Sequence, residues 1–405
     1  MPTSPSEPRA AARGSAWSVL LAFLRLGLTS FGGPVAHLGY FRTEFVERRR
    51  WLDDRSFSDL VALCQFLPGP ASSQVGIAVG MARAGWAGSL AAWCGFTLPS
   101  AFALIAFAYG IARYAALAQS GAVHGLKVVA VAVVAQAVWG MAKSLCPDRP
   151  RAGLAVAATL LALALPGAWG QVGAIGLSAL VGLWLLRLDA QAPAVHQPYG
   201  VSRRAGALAL AVFFLLLVAL PVLAAATASP LLRLMEGFYR AGSLVFGGGH
   251  VVLPLLQATV VPGGAVSNAD FLAGYGAAQA VPGPLFTFSA FLGTVIATPW
   301  PAWVGGLVFL LAIFLPAWLL VVGALPFWDL LRQRPRVRDA MAGVNAGVVG
   351  ILLAALYDPV WTSAIHTRAD FGLALAAFAL LVVARLSPFV VVVVTAVGGA
   401  LLGWL

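Results

Sequence analysis

FLRLGLTSFGG at residues 23–33 returns as FYRAGSLVFGG at residues 238–248. Phe23, Arg25, Gly27, Phe31, Gly32 and Gly33 are matched by Phe238, Arg240, Gly242, Phe246, Gly247 and Gly248, a constant shift of 215 from Arg25 to Arg240. Farther along, Phe57, Gln65 and Pro68-Gly69-Pro70 are matched by Phe271, Gln279 and Pro282-Gly283-Pro284. Trp86, Gly88 and Pro99 then match Trp303, Gly305 and Pro316, and Gly125-Leu126-Lys127 matches Gly343-Val344-Asn345. Chance similarity between apolar helices does not keep this order and spacing, so the chain is an internal duplication.

What surrounds the repeat is mostly hydrocarbon. Of 405 residues 61% are hydrophobic and 10% charged, an apolar excess no soluble core can hide, so the bilayer is the solvent. The net charge of +11 would suit nucleic acid, but the arginines fall in short clusters between apolar runs, as in cytoplasmic loops. No nucleic-acid partner is expected. Cys64, Cys94 and Cys146 show neither paired nor zinc-ligand spacing. No metal or cofactor is implied, and without a P-loop or nucleophile triad neither ATP-driven transport nor hydrolysis has support. The chain is read as a non-enzyme.

Charge in matched loops sets the relative orientation of the copies, because Lys and Arg concentrate on the cytoplasmic side. The loop holding Arg42, Arg48, Arg49, Arg50 and Arg55 corresponds to residues 258–269, which have no Lys or Arg. Conversely, Arg332, Arg334, Arg336 and Arg338 correspond to a first-half loop with only Arg113. The copies are therefore read as inverted, with the apolar run Ala205 to Ala228 as the odd crossing between them. The expected fold is an all-α polytopic membrane protein of two inverted repeats with broken, re-entrant helices. Its parts are a disordered cytoplasmic tail (1–16), a first repeat (17–204), a connecting helix (205–231) and a second repeat (232–405). Residues 17 to 41 and Phe57 to Met81 are expected as broken hairpins. Trp86 to Gly110 and Val123 to Ala142 are expected as full crossings, with a short hairpin closing each half. Ser56 and Asp59 suggest a capping box, approached by solvated Asp53 and Asp54.

The chemistry is expected at the breaks. Pro and Gly in Phe31-Gly32-Gly33-Pro34, Phe246-Gly247-Gly248-Gly249, Pro68-Gly69-Pro70 and Pro282-Gly283-Pro284 stop helices at membrane depth and free backbone amides. Such groups are tolerated in hydrocarbon only when buried in protein or lining an aqueous cavity. Half-helix N-termini beyond the breaks suit an oxyanion, and Ser73 and Thr287 add hydroxyls to the same turns. A single break would read as a packing kink; four matched ones point to one interior site. Arg25 and Arg240, each inside an apolar run, are the first candidates for substrate charge, against the alternative that they snorkel to an interface. Lys127, matched by Asn345, is a second cation. Gln65 and Gln279 either bind substrate or cap freed backbone. Glu44, Glu236, His37 and His250 have no matched partners and are read as structural.

The paired FGG and PGP motifs, with an Arg eight residues before the second Gly of each FGG, resemble the chromate ion transporter family in its long, two-domain form. The resemblance runs from about Ala22 to Leu356. It implies chromate efflux and resistance in a bacterial inner membrane, driven by the membrane potential or the proton gradient, with a cytoplasmic N-terminus and alternating access at a midplane site. The substrate rests on the resemblance alone, since sulfate has the same shape and charge. A membrane-embedded enzyme or a non-transporting sensor would each lack a feature: the first an acid/base or metal cluster, the second a ligand for the arginines. A homodimer is one assembly open to such a chain.

Overall fold

A computed structural model describes residues 14–31, 33–113, 120–165, 168–187, 200–246, 249–328 and 334–402, and among these there is no strand. The first half comprises Ala16–Thr29 (α1), Gly33–Arg42 (α2), Asp54–Phe66 (α3), Ala71–Arg113 (α4), Gly121–Leu145 (α5), Arg149–Ala164 (α6) and Ala168–Leu185 (α7). Arg203–Thr227 (α8) connects to the second: Pro230–Leu244 (α9), Val252–Val260 (α10), Asn268–Ala280 (α11), Phe288–Val295 (α12), Ala302–Ala324 (α13), Pro335–Ala355 (α14), Arg368–Val382 (α15) and Pro388–Leu402 (α16). Among the described residues five helices are long and apolar enough to cross a bilayer. The chain is an all-α polytopic membrane protein.

Short polar side chains start these helices by taking up otherwise orphaned amides. Ser15, Ser120, Ser202 and Ser229 accept from the amide three residues on at α1, α5, α8 and α9. At α3 the cap is Asp53, which accepts from Ser56 N at 2.9 Å and Ser56 Oγ at 2.7 Å. Ser56 is thus a donor to the cap and not the cap itself. A carboxylate at Asp53 outcompetes a hydroxyl three residues later, and Asp59 instead accepts from Trp328 Nε1 at 3.2 Å. Residues 1–13 of the expected tail lie outside the described residues. Its end is tied down, Gly14 N donating to the Arg83 carbonyl at 3.1 Å.

The expected breaks separate α1 from α2 and α3 from α4. α4 is itself two helices, interrupted at Ala84 and at Gly85, whose φ is +62°. In the second half the breaks separate α9 from α10 and α11 from α12. Matched glycines make matched crossings. A Cβ on Gly27 of α1 would strike the Gly95 carbonyl of α4, and one on Gly242 of α9 would strike the Ile313 carbonyl of α13. Only glycine lets these backbones approach so closely.

Where each half ends, the two are exchanged. α6 and α7 pack on α14 of the second half, while α15 and α16 pack on α5 of the first. Glycines again mark the seams. Gly182 of α7 meets Gly343 of α14, and Gly399 of α16 meets Gly121 and Gly125 of α5. Across the bundle, His124 Nε2 of α5 lies 2.7 Å from Asp370 Oδ1 of α15.

Candidate functional site

The four breaks meet at the centre of the protein through a reciprocal pair of backbone hydrogen bonds. Gly69, the middle residue of the first PGP, donates its N–H to the Val245 carbonyl at 2.6 Å. Gly283, its counterpart, donates to the Ser30 carbonyl at 2.9 Å. Val245 and Ser30 are themselves equivalent, each preceding an FGG. Both donors have positive φ, +127° at Gly69 and +101° at Gly283, which glycine adopts without strain. These two amides therefore cross-link the copies.

Beside this joint lies a cavity of about 500 Å3, lined from both halves. Gly33 and Pro34 come from the first FGG break, Gly249 and His250 from the second, and Gln279 and Gly283 from the second PGP region. Gln136 and Ser144 of α5 complete its polar wall. Gln279 Nε2 is buried with no partner among the described residues, an unused donor where a ligand would need one. His250 Nδ1 lies 2.7 Å from Tyr275 Oη.

Ser144 also lines a second pocket of about 300 Å3. This vestibule carries Gln65 of α3, Asn345 and Arg338 of α14, and Arg151 of α6. Asn345 Oδ1 is buried without a partner. Arg151 is braced by Asp148, its Nε donating to Oδ2 at 2.7 Å. Those bonds hold the Asp148 carboxyl below the usual carboxylate range, outweighing the smaller effect of burial. Ser144 is common to both, so the vestibule with its two guanidinium groups adjoins the cavity among the helix breaks.

The sequence candidates divide accordingly. Gly33, Pro34, Gly249, Gln279 and Gly283 line the cavity; Gln65 and Asn345 line the vestibule. Gly32, Gly247 and Gly248 lie outside the described residues. Pro68, Gly69 and Pro70 belong to the joint, with Gln74 Nε2 donating to the Pro68 carbonyl at 2.7 Å. Ser73 Oγ is buried without a partner, whereas Thr287 Oγ1 donates back to the carbonyl of Pro284, just beyond Pro282-Gly283, at 2.8 Å. Lys127 is half-buried on α5 and lines neither pocket.

The two arginines stand apart from both pockets. Arg25 is exposed on the outward stripe of α1 with Trp17, Leu21 and Leu28, and makes no ion pair among the described residues. From there a long side chain snorkels toward the bilayer surface. Arg240 is gripped by Glu236 one turn earlier, Nε to Oε1 at 2.6 Å and Nη2 to Oε2 at 3.3 Å. Gln136, Ser144, Arg151, Arg338 and His250 were not picked out as site residues. The first four are unremarkable polar residues in a single sequence, but His250 carried a signal in continuing the FGGG run.

His37 is buried with both ring nitrogens engaged, Nδ1 3.3 Å from Ser72 Oγ and Nε2 3.2 Å from the Ser30 carbonyl oxygen. Glu44 is held by Arg49 and Arg48 at 2.5 and 3.0 Å. Among the described residues no group of three or more His, Cys, Asp or Glu side chains comes together as a metal site would require.

Comparison with known proteins returns one family. The chromate transporter model matches twice, over residues 17–231 and 232–404. A chromate transport protein of Pseudomonas aeruginosa is 30% identical over 394 residues, 95% of this chain and 90% of that one. One from Cupriavidus metallidurans is 26% identical over 87% of this chain and 86% of its own. An uncharacterized transporter of Bacillus subtilis is 33% identical over 117 residues, 29% of this chain and 64% of its own. No solved structure gives a significant match.

Proposed function

Because the chain belongs to the chromate transporter family, we propose that it carries chromate out of the cytoplasm through the central cavity, by alternating access of two inverted copies. A chromate transport function is what the family supports. The observation that carries the rest is the cavity itself, walled by breaks from both halves and holding the unpartnered amide of Gln279. Helix breaks at membrane depth are stable only where they border such a space. A tetrahedral dianion needs donors to replace its water, and Gln279, Gln136, Ser144 and the amides at the breaks supply them.

The vestibule supports the outward direction. Arg151 and Arg338 follow the basic loops that mark the cytoplasmic side, so the anion is drawn in from the cytoplasm. An inside-negative potential then favours outward movement of negative charge, worth about 2.3 kcal/mol per charge per 100 mV. Export confers chromate resistance on a bacterial inner membrane. The joint of Gly69 and Gly283 stays fixed while the helices around it rock. Arg25 and Arg240 support insertion and packing in this scheme and do not touch the substrate.

The test is chromate flux in proteoliposomes of stated orientation, with sulfate as competitor. Gln279→Ala and Gln136→Ala should insert normally and lose most of the flux. Wild-type flux in both would remove the cavity from the pathway.

A further inference from the structure

Among the described residues lining the cavity, His250 is the one titratable side chain. It follows the second FGG break, and the matching position in the first copy is Val35, so the repeat symmetry is broken at this point. Its partner Tyr275 is fully buried on α11, fixing one edge of the ring at 2.7 Å. Nε2 has no partner among the described residues. Nδ1 and Tyr275 Oη share one hydrogen bond whose direction follows the ring's tautomer, and in the tautomer where Nδ1–H donates, Nε2 carries the lone pair.

Permanent positive charge is kept out of this space. Arg25 faces outward, Arg240 is paired with Glu236, and Arg151 and Arg338 stand in the vestibule. The neighbouring elements add no competing titratable group. The turn Gly249–Val251 is packed by α10, by α14 and by the turn Leu285–Thr287. Neither α10 nor Leu285–Thr287 contains an ionisable side chain, and the ionisable residues of α14, Arg336, Arg338 and Asp339, fall in its first turns. On α11, Asp270 accepts from Ser267 at the far end of the helix. On α2, His37 is engaged at both nitrogens. On α5, His124 is paired with Asp370, Lys143 lies over the Trp139 ring, and neither they nor Lys127 line the cavity.

A dianion entering the cavity therefore meets neutral donors and one basic nitrogen. Its charge favours the protonated form of a ring that lines the same cavity. We propose that His250 is the proton-binding group of the transport cycle: Nε2 takes a proton from water when a tetrahedral oxyanion binds and returns it when the oxyanion leaves. The new Nε2–H donates to an oxyanion oxygen, so anion and proton travel together. Each dianion then crosses with a net charge of one. This rests on the cavity being the transport site.

The experiment adds chromate to purified wild-type protein in weakly buffered detergent, at about pH 8 to 9, where chromate is itself fully deprotonated, and reads a pH-sensitive dye alongside the binding isotherm. The expected result is uptake approaching one proton per chromate bound, with Kd rising about tenfold per pH unit. His250→Gln keeps a donor at the wall but does not titrate, and should bind with a pH-independent Kd and no uptake. Wild-type binding with no uptake and a flat Kd overturns the proposal, as does uptake that survives in His250→Gln. The wild-type measurement decides alone if the variant does not fold. Absence of any chromate binding would instead overturn the transport-site reading, and this proposal with it.

Discussion

Replacing Gly283 with alanine attacks the joint between the copies. At φ +101° an L side chain is strained by about 1–3 kcal/mol. The added Cβ would also lie 2.9 Å from Ser100 Oγ and 3.1 Å from the Phe96 carbonyl oxygen. Ser100 can swing aside, but the carbonyl is backbone of α4, and forcing it away costs about 1–3 kcal/mol more. The Gly283 amide bond to Ser30 weakens with the shift, a further loss of about 1 kcal/mol. Less chain entropy in the unfolded state offsets under about 1 kcal/mol, leaving a net loss of about 2–6 kcal/mol. Gly69→Ala should behave alike, since φ is +127° and a Cβ would meet Gln74 Nε2 at 2.7 Å and Ala317 Cβ at 3.1 Å. Gly39→Ala is the control, an exposed helical glycine with open space around it, expected to be neutral or stabilising by up to about 1 kcal/mol. The assay is the thermal midpoint of purified protein, paired with chromate flux. A Gly283→Ala protein with wild-type midpoint and flux would refute the idea that these amides hold the copies together.

Other expectations follow from charge and burial. Burial raises the Glu44 carboxyl, but the bonds from Arg49 and Arg48 outweigh it and hold it below the usual carboxylate range. A lowered folded-state value means stabilisation present above the unfolded value of about 4.3 and lost as pH falls through the folded one. The thermal midpoint of Glu44→Gln should lie below wild type at neutral pH and converge with it in acid. Glu236→Gln leaves Arg240 half-buried and unpaired, which should cost about 1–3 kcal/mol in thermal stability and be largely recovered by adding Arg240→Leu. Arg338→Gln should slow chromate entry from the cytoplasmic face and flatten its dependence on ionic strength, as stopped-flow flux would show. Cys64 is fully buried, so a maleimide should label the native membrane protein at that position only after denaturation.

The breaks were legible because Pro and Gly act locally: the Pro68-Gly69-Pro70 stop needs no knowledge of its neighbours. Gly27 and Gly242 likewise announced themselves by repetition, and the structure shows what they permit. The setting of the arginines was not legible, for a physical reason. A buried charge and a lipid-facing charge that reaches the surface look identical in a linear chain, and only packing shows Arg25 on the outward stripe of α1. For Arg240 the answer stood in the sequence, since Glu236 is one turn away and Arg25 has Leu21 there instead. His250 stands without a repeat partner, and nothing local in a linear chain places an unmatched histidine at a cavity wall. Arg151 and Arg338 are brought to one vestibule by α6 crossing onto α14, and no local pattern encodes that.

The exchange of terminal hairpins has a consequence for biogenesis. Helix α5 ends at Leu145, while α16, which covers its glycine seam, begins at Pro388, 243 residues later. At about 5–20 residues per second, ribosomal synthesis leaves α5 waiting roughly 12–50 s before the surface built around Gly121 and Gly125 is covered. During that interval its narrow glycine seam is open to lipid or to a chaperone within the insertion machinery. This face of α5 closes only when α15 and α16 arrive, so the contacts between the halves are completed late.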